Sequence, residues 1–74
     1  MEVEVKLFGD LREGRFEQEK AQLEDNSRVI DIIKKCNLPL EHVAVCFVNN
    51  REAEFGQVLE NGDRVAFSPP VGGM

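Results

Sequence analysis

The chain has 74 residues, 31% of them charged, and a formal net charge of −5. A chain this short buries only about 60% of its unfolded surface, so it forms one domain with one small core and has little room for an enclosed active site. The acidic balance disfavours nucleic acid and anionic membrane as partners, and no apolar run is long enough for a transmembrane helix.

Val3, Val5 and Leu7 alternate with Glu2, Glu4 and Lys6. Period two with one apolar face predicts a half-buried strand. No basic-then-apolar leader precedes it, so secretion is not expected and a cytoplasmic location is. Gly9-Asp10 and Glu13-Gly14-Arg15 break the pattern and read as a loop or turn. Arg15 to Leu23 reads as a weaker strand anchored by Phe16, with Gln18 to Lys20 facing solvent or lying at an edge. Asp25-Asn26-Ser27 is a helix-start cluster, with Ser27 as the expected N-cap. Val29, Ile32, Ile33 and Cys36 then form one helical stripe, with Ile30 near its edge. Lys34 and Lys35 complement the dipole at the helix C-terminus. Asn37 can end the helix, and Pro39 cannot continue it.

Val43 to Val48 is a continuous apolar run too short for a buried helix and is expected to be a central strand. Asn49-Asn50 is a turn pair, and Arg51 to Glu54 is a short strand return. Phe55, Val58 and Leu59 read as apolar pegs under an irregular loop. Asn61-Gly62-Asp63 is a turn before the final strand, Arg64 to Ser68. Alternation there turns Val65 and Phe67 inward and Arg64, Ala66 and Ser68 outward. The order strand, strand, helix, strand, short strand, strand is that of the β-grasp fold. The expected architecture is α+β, a mixed sheet of four to five strands with one main helix on one face. The domain should span residues 1–68, with a projecting, flexible tail over 69–74.

Internal chemistry is sparse. His42 is the only histidine and lies in a connection, where surface decoration is the expectation. Cys36 and Cys46 are not spaced as a metal clip or redox pair and read as small core hydrophobes in a reducing compartment. Glu17/Glu19 and Glu52/Glu54 should face solvent. No His/Cys/Asp spacing makes a metal site. No glycine-rich loop joins a strand to a helix, so nucleotide binding by this chain is not expected.

The tail is the remaining special group. Pro69-Pro70 fixes φ, so the tail should project from the last strand and pack on nothing. Gly72-Gly73 has no side chains, so a partner's catalytic groups can close around it. A stiff stalk with a thin tip suits delivery of a C-terminal carboxyl group into a narrow channel. A solvated end with no role is the competing reading.

Asn61-Gly62-Asp63-Arg64-Val65-Ala66-Phe67 followed by Pro69-Pro70-Val71-Gly72-Gly73 resembles the ubiquitin-like sulfur carriers, in particular the molybdopterin-synthase small-subunit branch. Val3-Glu4-Val5-Lys6-Leu7-Phe8-Gly9 and Val45-Cys46-Phe47-Val48-Asn49 are similar to that family too. The resemblance implies a carrier rather than an enzyme, with no cofactor of its own. An ATP-dependent activating enzyme, using ATP and Mg²⁺, would adenylate the Gly73 carboxylate. A sulfur donor would displace AMP and leave a thiocarboxylate. The tail Pro69, Pro70, Val71, Gly72, Gly73 would then enter a larger synthase subunit and give sulfur to a pterin precursor. The alternatives are a carrier for thiamine, cysteine or tRNA sulfur, or a β-grasp interaction module or protein tag.

Three residues depart from the family pattern. Met74 follows the second glycine, so a processing protease is expected to remove it. Ser68 stands where a large apolar residue usually precedes Pro-Pro. Glu52 stands where an apolar contact is common. With Ala66, these mark the candidate partner surface, and the exposed aromatic expected there is missing.

Overall fold

In the computed structural model, residues 1–70 are described, and Val71, Gly72, Gly73 and Met74 lie outside them. Five strands and one α-helix follow the expected order: β1 (Glu2–Leu7), β2 (Gln18–Gln22), α1 (Val29–Lys35), β3 (Val45–Val48), β4 (Arg51–Ala53) and β5 (Arg64–Ser68). Short 3₁₀ turns at Gly9–Arg12 and Leu40–His42 follow β1 and precede β3.

The alternation in β1 buries Val3, Val5 and Leu7 at 0–1% exposure. The sheet order is β2-β1-β5-β3-β4. β1 and β5 run parallel, with Val5 beside Val65 and Leu7 beside Phe67. The remaining pairs are antiparallel. β2 is an edge strand, as its polar sequence suggests. β3 is interior, but β5 rather than β3 is the middle strand. Nor is the apolar run in β3 buried on both sides. Cys46 and Val48 enter the core, whereas Val45 and Phe47 are only half-buried. The core, with α1 in it, covers one face of the sheet, so β3 alternates like its neighbours.

The α1 segment has only 7 residues, too few to hold a helix in water on propensity alone. It is held by burial of Val29, Ile32 and Ile33. The N-cap is Arg28 rather than Ser27. Ser27 Oγ donates to Glu24 O at 2.7 Å and so stays in the preceding turn. The Arg28 N–H donates to the Asp31 carboxylate at 2.7 Å, and Arg28 also bridges Val58. At the other end Asn37 takes φ 56°. Its N–H donates to Lys34 O at 3.1 Å, and that of Leu38 to Ile33 O at 2.9 Å. This is a Schellman ending with asparagine in the left-handed position. Cys36, expected in the core stripe, is the half-buried C-cap.

Asn49 and Asn50 have φ of 53° and 70°, and Val48 pairs with Arg51 across them. Two left-handed residues make a tight turn whose twist suits a two-residue hairpin. Two core assignments change. Leu11, in a segment read as loop, is 1% exposed, and Val58 is 43% exposed. Leu11 is swallowed because the 3₁₀ turn closes the end of the core. Val58 faces out because its neighbour Leu59 takes the buried position.

Phe67 is fully buried, so Phe67→Ala should cost about 3–5 kcal/mol in urea unfolding. That is comparable to the net stability of so small a domain, about 3–5 kcal/mol. Asn37→Val, which forces a β-branched residue into the left-handed region, should cost roughly 1–2 kcal/mol by the same measurement.

Candidate functional site: the end of β5 and the open sheet face

β5 carries the candidate site because it ends where the tail begins. Its last turns of backbone are held from both sides. The Phe8 N–H donates to Phe67 O at 3.0 Å, and the Ala44 N–H donates to Ser68 O at 2.9 Å. Pro69 is half-buried and Pro70 exposed. A Cβ built on Gly9 would lie 2.8 Å from Pro69 Cγ and 3.3 Å from Cδ. Gly9 also has φ of +59°. The first proline is therefore seated on Gly9, and the expectation that the tail packs on nothing is corrected at its root. Ser68 Oγ donates locally to Pro69 O at 3.3 Å. Val71, Gly72, Gly73 and Met74, the reacting and processing positions read from the sequence, lie outside the described residues.

The outward residues of the strands form a row across the sheet. Gln18 pairs with Lys6, Lys6 with Ala66, Ala66 with Phe47 and Phe47 with Glu52. Glu52 and Ala66, read as partner-surface residues, thus share one face with Phe47 between them. Ser68 lies nearer the tail, opposite Val45. A shallow depression on this face is lined by Lys6, Phe8, Phe47, Arg64 and Ala66 among others. Lys6 Nζ sits 5.1 Å from the Phe8 ring centroid, a cation–π distance. Phe8 is 41% exposed.

The missing aromatic is therefore present, supplied by Phe47 and Phe8 rather than by the residue before Pro-Pro. Both were legible by parity. Phe47 is out of phase with Cys46 and Val48. Phe8 continues the Glu2, Glu4, Lys6 face of β1. Lys6 and Arg64 share this face with the carboxylates of Glu4 and Glu52, so its charge is mixed.

The cysteines offer no competing nucleophile. Cys46 is buried, and its Sγ donates to Ala53 O at 3.1 Å. Burial pushes its thiol up, with Glu52 adding to the effect. Burial likewise raises the Cys36 thiol, and the Glu19 carboxylate adds to it against Lys35 and Arg15. Thiols held protonated at neutral pH are poor nucleophiles. Among the described residues, no three His, Cys, Asp or Glu side chains cluster as a metal site. No helix among them is long and apolar enough to cross a membrane.

One helix against a five-stranded mixed sheet, with the last strand leading into Pro-Pro-Val-Gly-Gly, defines a ubiquitin-like β-grasp protein of the sulfur-carrier or modifier type. The sequence pattern of the ThiS family matches residues 5–73, and the chain belongs to that family. Comparison with curated proteins finds no match. Among solved structures, a putative molybdopterin converting factor subunit 1 from Pyrococcus furiosus is 29% identical, with a TM-score of 0.78 over 96% of this chain and 99% of that one. Small archaeal modifier protein 1 of Haloferax volcanii is 23% identical, with a TM-score of 0.73 over 95% and 98%. A complex of subunits 1 and 2 of molybdopterin-converting factor from Helicobacter pylori matches at 23% identity and a TM-score of 0.68, over 100% of both chains. The last two, at that identity, share the fold.

Gly9→Ala should destabilise by roughly 1–3 kcal/mol, because it adds backbone strain and crowds Pro69. Adding Pro69→Ala should recover the crowding part and leave the strain, which a double-mutant cycle in urea will separate. Both thiols are raised above their ordinary value of 9.0. The fold therefore favours the protonated thiols, and that stability is fully present below about pH 9 and is lost as pH rises through the higher folded values. Stability measured from pH 7 upward should show no thiol-linked loss until above about pH 9.

Proposed function

We propose that this chain is a sulfur carrier, the small subunit of a molybdopterin synthase, serving molybdenum or tungsten cofactor biosynthesis. The observation that carries the reading is the placement of the Gly-Gly segment. It follows in sequence a middle strand whose last residue is pinned on both sides and a proline seated on the domain. Similarity to the Pyrococcus subunit 1 supports the molybdopterin branch. The Helicobacter subunit 1–subunit 2 complex supports a larger synthase subunit as partner.

In this reading the domain docks and the tail reacts. A protease first removes Met74. The activating enzyme holds ATP and Mg²⁺, and a Gly73 carboxylate oxygen attacks the α-phosphorus, expelling pyrophosphate. The acyl-adenylate now has AMP as a good leaving group. A sulfur donor attacks the carbonyl carbon, AMP departs, and a terminal thiocarboxylate remains. Catalytic groups belong to the partners, while this chain contributes delivery and orientation. The patch around Phe8 and Phe47, aromatic and mixed in charge, with Glu52, Ala66 and Ser68 on the same face, is the docking surface.

A protein tag is the second reading, favoured by the shared fold with the small archaeal modifier protein. Covalent attachment to other proteins through Gly73, seen as higher-mass conjugates in the host, distinguishes it.

The test is intact mass after incubation with host extract, which supplies the protease and the activating enzyme, together with ATP, Mg²⁺ and a sulfide source. The expected product lacks Met74 and has one oxygen replaced by sulfur. Adenylation of untrimmed protein would show that no protease is needed. In the trimmed protein Gly73→Ala should leave thermal stability unchanged and reduce sulfur transfer roughly a hundredfold, because a methyl group displaces the reacting carboxyl. Unchanged transfer would mean that Gly73 is not the reacting residue.

A further inference from the structure

His42 lies on the surface, as its place in a connection suggests. Its Nε2 lies 2.9 Å from both carboxylate oxygens of Asp10. The partners belong to the two 3₁₀ turns. Asp10 lies just beyond the end of β1, and His42 lies just before β3.

The topology gives this pair its meaning. β1 runs parallel to β5, so both strands end at the same side of the sheet. β3 runs antiparallel to β5, so it starts at that side. The segment leaving β1 and the segment entering β3 therefore flank the point where β5 stops. Each makes one backbone bond to the strand end, from Phe8 to Phe67 O and from Ala44 to Ser68 O. Gly9, next to Asp10, is the seat of Pro69. The Asp10–His42 contact ties the two flanking segments together side chain to side chain, and the Arg15 guanidinium also donates to Asn37 O at 3.3 Å between the same two connections.

We infer that Asp10 and His42 form a clasp across the end of β5 that fixes the exit direction of the tail, and that they are positioning residues for presenting Gly73 to the activating enzyme. The inference rests on the sulfur-carrier reading for its second half only. Both side chains are substantially exposed, at 44% and 51% for His42 and Asp10. An exposed pair adds little to global stability. Its contribution is to limit how far the two flanking segments can separate. Small errors in the placement of a reacting group cost far more in rate than in binding.

The test compares Asp10→Ala, His42→Ala, the double variant and Asp10→Asn with wild type, each in the form in which wild type is active. Adenylation kinetics and amide hydrogen exchange at Phe8 and Ala44 are measured. Each alanine variant should lower kcat about tenfold with KM within about twofold, since neither side chain belongs to the docking face. Exchange at Phe8 and Ala44 should quicken, with no loss of melting temperature. The double variant should be no worse than either single, because both break one link. Asp10→Asn, which keeps an acceptor oxygen, should retain most of the rate. Unchanged kcat, additive losses, or losses that track melting temperature would overturn the clasp. A wild-type protein that is never adenylated would overturn the sulfur-carrier reading instead. The exchange comparison would then decide the clasp alone, with unchanged exchange overturning it.

Discussion

The parallel pairing of β1 with β5 is the constraint on which the rest of this structure depends. It joins the first strand to the last and sets Val5 beside Val65 and Leu7 beside Phe67, all at 0–1% exposure. Parallel neighbours cannot be joined by a tight turn, so the chain between them must cross back over the sheet. Here β2, α1, β3 and β4 lie within that crossing. α1 packs on the resulting apolar face and is a stable helix for that reason. Because β3 adds to the other side of β5, the last strand becomes the middle one. The polypeptide therefore leaves the domain from the centre of the sheet end, where neighbours on both sides can hold it.

That exit is more ordered at its root than a stiff tail alone requires. Backbone bonds reach Phe67 and Ser68 from both flanks, and Pro69 rests on Gly9. Gly9 serves here because it accepts φ +59° and leaves room for the proline ring. A stalk that starts from a fixed base points in a narrower range of directions than one that swivels at its first residue. On the proposed carrier reading direction is the useful quantity, since the chemistry then takes place in another protein's site.

The other half of the design is the one-sided core. The sheet's inner face fills with Val3, Val5, Leu7, Cys46, Val48, Val65 and Phe67. The outer face is left with charges around Phe8, Phe47 and Ala66. A domain of this size has little room for an enclosed pocket beside its core. It can offer an open face and the end of β5, and these two features adjoin. The polar Glu52 and Ser68 lie on a face where Phe8, Phe47 and Ala66 stand among Glu4, Lys6 and Arg64.

The sequence by itself determined the order of elements along the chain, the helix, the inward residues of β1 and β5 and the conspicuous tail. Each of these rests on local periodicity, on turn residues such as Asn49-Asn50, or on the rigid and permissive backbones of proline and glycine. Parity was enough to place Ala66 and Ser68 on the outer face. Only the tertiary structure decided that one face of β3 stays open, so that the parity of Phe47 turns it outward, that Leu11 is swallowed by the core and that Arg28 rather than Ser27 caps the helix. It also decided that Pro69 is seated on Gly9 and that Asp10 meets His42. An apolar run does not reveal how many of its faces are covered. Nor can local pattern show a contact between residues that the sheet alone brings together, and the end of β5 is built from such contacts.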